Sequence, residues 1–326
     1  MLGVLALVTA GGHAHADLLD LTLNRLIPRT GAGGGPDPGA PSAQADYRQL
    51  SSELGVILAP RILSPADTLG YNGFQIAFDA GFTTLSNSTC RENQGNPGDL
   101  DSNQCPWQRG VEGRNGPNRS LPRWARTISV TARKGFWLPV PGFEIGVGAT
   151  KLLQSNIYAL QAYVKVGLQE GYHRFGLPSI AVRGSASRVF GTPQLSLTLV
   201  QSDIELSKNF GVLGTVTLTP YVGAAGLLVI GRSQVIDTTP GVDAYQQGPN
   251  GPDLDNNVVF ANQSYLLRWR FFGGLRLQYS VLVVTAEFLF TACGDLGVGR
   301  CDHGGKDVPD RSPHQYTINL SGGFAF

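Results

Sequence analysis

Charged side chains recur at alternate positions of several apolar segments, a spacing that could line a narrow passage with charge. Arg268, Arg270 and Arg276 occupy alternate positions of one segment, and Glu287 lies in the next. In an extended segment, alternate side chains share one face. Rings of charged side chains set the selectivity of pores. The other candidates for this inward face are Arg133, Lys165, Arg183, Asp79, Glu144, Asp203 and Glu205.

These charges have two interpretations. Their signs nearly balance, and unpaired charges are costly in a low-dielectric interior, so they could pair into a structural network that fills a narrow lumen. Alternatively, they form a constriction that selects small solutes, with the three arginines at its narrowest point and Glu287 as their partner. The sequence leaves both hypotheses open.

Two acidic segments offer a candidate metal site. Asp99, Asp101 and Asn103 place oxygen ligands at alternate positions, and Asp253, Asp255 and Asn257 repeat the pattern. This resembles the start of a calcium loop, but neither segment has the glycine and glutamate that complete one. Polar turns favour the same residue types. We therefore expect neither a metal nor a cofactor.

An enzymatic function would need a histidine beside an acidic or serine partner. His303 beside Asp302 and His314 near Asp310 are the candidates in predicted outer loops, and no GxSxG-type motif surrounds a serine. We expect that the chain is not an enzyme, and a hydrolase stays the minor alternative.

The four cysteines form two local pairs, Cys90 with Cys105 and Cys293 with Cys301. An even count in local pairs on an exported chain predicts two loop disulfides. The spacings lack the CxxC pattern of zinc sites, so metal binding is disfavoured.

Ten segments with a two-residue hydrophobic period would position these side chains. They are 73–85, 124–134, 143–151, 158–169, 180–189, 195–207, 215–230, 267–279, 282–290 and 316–326. The phase of the sixth slips near Leu199 and Val200, which predicts a β-bulge. Long connections at 86–123, 231–264 and 293–313 alternate with short ones, as in membrane barrels with long outer loops.

The last segment carries a family resemblance. Tyr316 to Phe326 alternates apolar with small or polar residues and ends in Phe. In this it resembles the bacterial outer-membrane β-barrel family. The resemblance implies an all-β fold, a transmembrane antiparallel up-and-down barrel over residues 71–326, with periplasmic N- and C-termini in the bacterial outer membrane. About ten strands fit best, and eight to twelve fit the same pattern.

The residues before the barrel divide into three parts. An apolar run from Leu2 to Ala10, followed by Ala14-His15-Ala16, predicts a signal peptide over 1–16, with a buried helix as alternative. Residues 17–46 are interpreted as a flexible linker, Gly/Pro/Ala-rich from residue 28. Apolar residues at helical spacing predict a short helix within 47–70. By position, this segment resembles the plug of outer-membrane transporters for hydrophobic substrates; a strand at 54–58 is the alternative.

Composition narrows the function classes. Charged residues make up 15% of the chain and the net charge is +1, so nothing indicates a nucleic-acid partner. The expected partners are outer-membrane lipid and a small solute, with any extracellular partner unidentified. The leading prediction is a narrow, charge-lined pore or small-solute transporter. The alternative is a structural or surface-interaction barrel with a salt-bridged closed lumen and partner-binding outer loops.

Overall fold

The computed structural model describes residues 17–27, 41–86, 106–111, 121–137, 142–169, 177–212, 215–238, 257–294 and 310–326. None of the helices within these ranges has both the length and the apolar character of a membrane-spanning helix.

Ten antiparallel strands form a closed up-and-down barrel. They are β1 (Phe74–Thr84), β2 (Trp124–Phe136), β3 (Phe143–Leu152), β4 (Tyr158–Gln169), β5 (Ser179–Phe190), β6 (Leu195–Ser207), β7 (Val216–Ser233), β8 (Gln263–Tyr279), β9 (Leu282–Thr291) and β10 (Gln315–Ala325). Each strand pairs with its sequence neighbours, and β1 pairs with β10 to close the ring. Shorter strands lie at Phe210–Val212, Ile236–Asp237 and Asn257–Val258. The all-β barrel prediction, with about ten strands and a short N-terminal helix, is confirmed.

Alternation of residue type fixes the two faces of the wall. Along β1, Gln75, Asp79 and Thr83 are buried, whereas Phe78 between them is 60% exposed. The other long strands repeat this alternation, because successive side chains in a strand point to opposite sides. The polar face therefore lines the lumen, and the apolar face is the outside of the barrel.

The predicted bulge in β6 is wrong. Strand β6 pairs in continuous register with β5 and with β7 through Leu199 and Val200. Leu195, Leu197 and Leu199 are buried inward-facing residues, and so are Gln201 and Asp203 further along the strand. The inward face changes from apolar to polar while the geometry stays regular, so the sequence pattern only appeared to slip.

The N-terminal residues fill the barrel. Helix α1 (Pro41–Ile57) lies in the lumen, and the extended residues 58–69 continue from it to the start of β1. A 3-10 helix at Leu23–Leu26 and helix α2 (Pro106–Gly110) pack near the beginning of α1. Buried apolar residues join these elements: Leu19, Leu23, Leu26, Tyr47, Leu50, Leu54 and Trp107 belong to one cluster.

This packing contradicts the prediction of a flexible linker over residues 17–46 for those of them that the structure describes. Leu19, Leu23 and Leu26 are at most 1% exposed, and helix α1 begins at Pro41 rather than after residue 46. Burial of their apolar surface against the barrel mouth outweighs the chain entropy that a linker would keep. Residues 28–40 and the predicted signal peptide at 1–16 lie outside the described residues.

The two ends of the barrel differ. At one end, which we call the long-loop end, the connections include 85–123, 234–262 and 292–314; at the other, the short-turn end, they include 280–281. Residues 17–27 lie at the long-loop end, where Leu19 N donates to Gln154 O (2.9 Å) and Leu23 N to the Gln194 side chain (2.6 Å).

The C-terminus lies at the short-turn end. Phe326 exchanges backbone hydrogen bonds with Phe74, the first residue of β1, at 2.7 and 2.9 Å. Residues 17–27 and Phe326 therefore occupy opposite ends of the barrel. The expectation that both chain termini are periplasmic stays a prediction, because residues 1–16 lie outside the described residues. Helix α1 and residues 58–69 carry the chain through the lumen from one end to the other.

Candidate functional site

The lumen divides into an apolar layer and a polar layer. In the apolar layer, toward the long-loop end, α1 packs against the inward faces of β6 and β7 through Leu199 and Val229. Gly55 permits the close approach, since a Cβ there would lie 2.5 Å from Val229 Cγ2. Any side chain at this position would push the helix away from the wall.

Glu53 is the polar anchor of α1. Its carboxylate is 0% exposed and accepts hydrogen bonds from Gln49 Nε2 (2.9 Å), Ser86 Oγ (2.6 Å) and Ser86 N (3.3 Å). Burial raises the pKa of the Glu53 carboxyl, and these hydrogen bonds partly oppose that rise. Near the start of the helix, Asp46 forms an ion pair with Arg109 of α2, and Tyr47 stacks on Phe260 with ring centroids 4.6 Å apart.

Arg61 joins the extended residues to three strands. Its Nη1 donates to Asn319 Oδ1 of β10 (2.9 Å), its Nη2 to Thr127 Oγ1 of β2, and its backbone N to Gln161 Oε1 of β4 (2.9 Å). The side chain lies against Gly81, where a Cβ would come within 2.9 Å of Arg61 Nη1. The guanidinium fork suits this use because it presents several donors in a fixed plane.

The residues after Arg61 are held by wall charges. Leu63 N donates to Glu287 Oε2 (3.0 Å) and Leu69 N to Glu144 Oε2 (3.1 Å). Lys165 Nζ donates to Pro65 O (2.7 Å) and to Ser64 Oγ (3.2 Å). Backbone groups of an irregular segment need such partners inside a protein, and the inward charges supply them.

The charges nearest the short-turn end form a connected ion-pair network. Arg183 contacts Asp203 (3.2 Å) and Glu205 (2.8 Å). Lys165 lies between Glu205 (3.8 Å) and Glu144 (3.9 Å), and Arg133 lies 3.5 Å from Glu144. All of these side chains are at most 7% exposed, so water screens them little.

The three arginines of β8 lie on the inward face, but they do not converge on one point. Arg268 donates to Ser52 Oγ of α1 (2.8 Å) and to two backbone carbonyls, Ala292 O and Pro313 O, both at 2.9 Å. Arg270 donates to Gln201, and Arg276 donates to Gln278 (3.1 Å).

The predicted partnership of Glu287 with these arginines is not a direct contact, although Glu287 interacts electrostatically with Arg270. Within the described residues no ion pair joins Glu287 to Arg270 or Arg276. Glu287 instead accepts from Tyr221 Oη (2.9 Å), Asn319 Nδ2 (3.0 Å) and Leu63 N. The Glu287 carboxylate therefore binds the N-terminal segment. The alternating pattern of the wall strands does not predict this contact.

All other charges predicted to face inward are buried in the lumen. Asp79 accepts a 3.4 Å hydrogen bond from Thr131 Oγ1. The full set is Arg133, Lys165, Arg183, Arg268, Arg270, Arg276, Asp79, Glu144, Asp203, Glu205 and Glu287. Arg268 of this set contacts α1, whereas Glu144, Lys165, Arg183 and Glu287 contact residues 58–69, so the charges hold the N-terminal segment inside the barrel.

The predicted disulfides and calcium sites lie mostly outside the described residues. Cys293 is buried and makes no disulfide with a described residue, whereas Cys90, Cys105 and Cys301 lie outside the described residues. The two disulfides therefore stay predictions. Of the calcium candidates, Asn257 lies in a short strand, and Asp99, Asp101, Asn103, Asp253 and Asp255 lie outside the described part of the chain. That part holds no group of potential metal ligands.

The two histidines considered for catalysis are His303 and His314. His303 lies outside the described residues, and His314 Nδ1 accepts a hydrogen bond from the Cys293 backbone N (3.1 Å). Asp310 hydrogen bonds with Ser312 and Ser52. The structure gives His314 a structural partner and leaves the question of catalysis untested.

Comparisons with known proteins give similarity at the level of structure. No protein-family model and no curated protein matches the chain. Bacterial outer-membrane β-barrel proteins are among the solved structures that match, and they do not resolve a subfamily.

Three of these structures give the extent of the similarity in sequence identity, TM-score and coverage. The translocator domain of autotransporter NalP from Neisseria meningitidis is 10% identical with a TM-score of 0.36, covering 88% of this chain and 99% of its own. Outer membrane protein Omp33 of Acinetobacter baumannii is 10% identical with a TM-score of 0.25, covering 79% and 99%. Ail, the attachment invasion locus protein of Yersinia pestis, is 10% identical with a TM-score of 0.26, covering 78% and 99%. At this level of similarity no function is transferred to the chain.

Proposed function

We propose that this chain is a bacterial outer-membrane barrel, closed by its own N-terminal segment, that presents residues 17–27 and the surrounding loops at the cell surface. In this proposal it acts as a non-enzymatic surface-interaction barrel. The observation that carries the proposal is the path of residues 41–69, which fill the lumen from the long-loop end to the short-turn end.

The exterior of the wall supports the membrane placement. Large apolar side chains are exposed on strands all around the ring, among them Phe78 (60%), Val147 (54%), Val222 (55%) and Val284 (56%). Exposed apolar surface of this extent is unusual on a protein in water and marks an interaction surface. A closed barrel leaves no sheet edge unpaired, which is the condition for crossing lipid with strands.

Aromatic residues support the same placement. Tyr158, Tyr265 and Tyr316 are exposed near the long-loop end, whereas Tyr279 and Phe326 are exposed near the short-turn end. Two such rows are typical of the membrane interfaces of outer-membrane barrels. In these proteins long loops face outward and short turns face the periplasm. We therefore infer that residues 17–27 lie on the extracellular side.

The closed lumen favours surface interaction over conduction. Barrels of about eight strands have interiors that side chains fill, and about sixteen are needed for a wide water channel. Here the modest lumen of a ten-stranded wall is occupied by α1, by Arg61 and by the buried ion pairs. The groups left for a partner are those at the long-loop end, where the N-terminal residues and the loops meet.

Epitope accessibility tests the proposed topology. A short epitope is inserted after Asp17, and in a second protein after Val281 in the short β8–β9 turn; both residues are exposed. We expect an antibody to label intact cells carrying the first insertion, and to label the second only after the outer membrane is permeabilised. The proposal is contradicted if intact cells are labelled at both insertions, or if both insertions are labelled only after permeabilisation.

A gated small-solute transporter is the second candidate, and one observation favours it. Several contacts that hold residues 61–69 are polar, such as those of Lys165 with Pro65 and of Glu144 with Leu69. Water can replace such contacts more readily than it replaces apolar packing. If this segment moves aside, the inward charges would line the opened passage and select the solute.

A further inference from the structure

An apolar groove runs along the outside of the barrel across β10, β1, β2, β3 and β4. Its volume is about 630 Å³. Small residues form its floor, and larger apolar side chains form its sides. The floor residues are Ala80, Ala149 and Gly322, and the sides include Phe78, Ile128, Val130 and Leu320.

The groove climbs from the middle of the wall to the long-loop end. Directly paired positions follow it: Leu320 opposes Ala80, Ala80 opposes Ile128, and Ile128 opposes Lys151. Lys151 in turn opposes Tyr158, the first residue of β4. Because barrel strands are tilted, a row of opposed residues crosses the wall diagonally. The upper end of the groove is therefore marked by a cation and a phenol.

Lys151 belongs to a set of outward-facing cations at that end. Arg126 lies two residues before Ile128 on β2, so its side chain is on the same face as the groove and diagonal to Lys151. Arg188 of β5 and Arg232 of β7 are also exposed near the long-loop end. None of the four forms an ion pair with a described residue.

Acidic residues are absent from the same face. Within the described strands β1–β10, every aspartate and glutamate is buried in the lumen; these are Asp79, Glu144, Asp203, Glu205 and Glu287. The outward face therefore offers a group of four cations at the long-loop rim and apolar surface below them. This pattern fits an amphipathic anion whose charge lies at the interface and whose chain lies along the wall.

We propose that this groove binds one anionic, phosphate-bearing lipid of the leaflet at the long-loop end. Its phosphate would lie between Arg126 and Lys151, and an acyl chain would lie over Ala80 and Ala149 toward Gly322. A second copy of this chain is a poorer occupant, because a self-contact here would bring cations together without acids to neutralise them. The inference rests on the proposed membrane placement and extends it to a defined site.

Native mass spectrometry of the purified, folded barrel measures this binding. The protein is titrated with dipalmitoyl phosphatidylglycerol and with dipalmitoyl phosphatidylcholine, which has the same chains but no net charge. We expect the anionic lipid to bind about tenfold more tightly to one site. The Arg126→Gln/Lys151→Gln double variant should abolish this preference, and Ala80→Phe should weaken binding of both lipids by filling the groove.

Two matched variants serve as controls. Lys134→Gln removes an exposed cation at the short-turn end of β2, and Ala186→Phe adds the same bulk to an exposed alanine of β5 outside the groove. Both should bind lipid as the unmodified protein does. Equal binding of the two lipids, or equal losses in the groove variants and their controls, would overturn the proposal.

The readouts separate this inference from the proposed function. The heat-dependent mobility shift of a folded barrel in gels reports whether each variant is intact, and epitope labelling reports the topology. A folded barrel with the expected topology and no lipid preference contradicts the lipid site alone. Incorrect topology contradicts the proposed function first.

Discussion

Arg61 and Asn319 tie the N-terminal segment to the last strand of the barrel. Arg61 Nη1 donates to Asn319 Oδ1 at 2.9 Å, and Asn319 Nδ2 donates to Glu287 Oε1 at 3.0 Å. Glu287 also accepts from Leu63 N of the same segment. The segment and the wall therefore share one buried polar network, in which each polar group depends on the next for a partner.

Removing the Arg61 side chain should leave that network incomplete. In Arg61→Met, Asn319 Oδ1 and Thr127 Oγ1 lose their donor, and we expect the free energy of unfolding to fall by about 3 kcal/mol. Arg61→Lys should lie between the two proteins, because an ammonium cannot reach all the partners of a guanidinium fork. Urea unfolding in detergent micelles measures the change. Equal stability of Arg61→Met and the unmodified protein would show that the contacts do not hold the segment.

The ion pairs of Arg183 should matter far more than an exposed arginine on the same strand. Arg183→Met leaves Asp203 and Glu205 short of a buried cation, and we expect a loss of about 3–5 kcal/mol in unfolding free energy. Arg188→Met, outward and exposed on β5, should cost less than about 1 kcal/mol. If both variants lose the same amount, the network does not stabilise the fold.

A methyl group at Gly55 should destabilise the helix–wall contact despite improving the helix. Alanine is the better helix former by about 1 kcal/mol, but its Cβ would lie 2.5 Å from Val229 Cγ2. We expect Gly55→Ala to cost about 1–3 kcal/mol overall. Val229→Ala removes the clashing methyl groups, so the double variant should lose less than the sum of the two single variants. If the losses of the two single variants simply add in the double variant, residues 55 and 229 are not in contact and the helix lies elsewhere.

Glu53 should make stability depend on pH in a defined direction. Burial raises the pKa of this carboxyl in the folded protein above its ordinary value of about 4.3. The folded state then binds the proton more tightly, so this contribution to stability is full below the ordinary value and is lost as pH rises through the raised pKa.

Glu53→Gln removes that titration and keeps a side chain of the same shape. Unfolding curves between pH 4 and pH 8 should fall more steeply with pH for the unmodified protein than for the variant. Other titrating groups contribute equally to both proteins and cancel in the difference. Parallel pH profiles would mean that Glu53 does not carry the raised pKa.

The wall could be predicted from the sequence because its signal is local. Alternation placed the ends of β4 and β6 at their observed residues, and the inward charges were identified by their strand positions alone. The lumen contents could not be found this way. Arg61 follows a helix in a segment without strand periodicity, and its partners on β2, β4 and β10 are distant in sequence.

One signal of the filled lumen is present in the sequence of β6. Leu195, Leu197 and Leu199 continue the inward face of β6 with apolar residues where a water-filled lumen would need polar ones. This change from polar to apolar side chains marks a contact surface for α1 and is not the result of a bulge. An inward face that turns from polar to apolar within one regular strand indicates that something packs inside the barrel.

Single-channel recording in a planar bilayer tests the closed lumen most directly. The unmodified protein is compared with Gly55→Leu/Arg61→Ala, which should displace α1 and release residues 58–69. We predict no steady conductance from the folded, unmodified protein and frequent openings from the variant, with ion selectivity set by the inward charges. A steady conductance of the same size from both proteins would contradict the account, because the N-terminal segment would then not close the barrel.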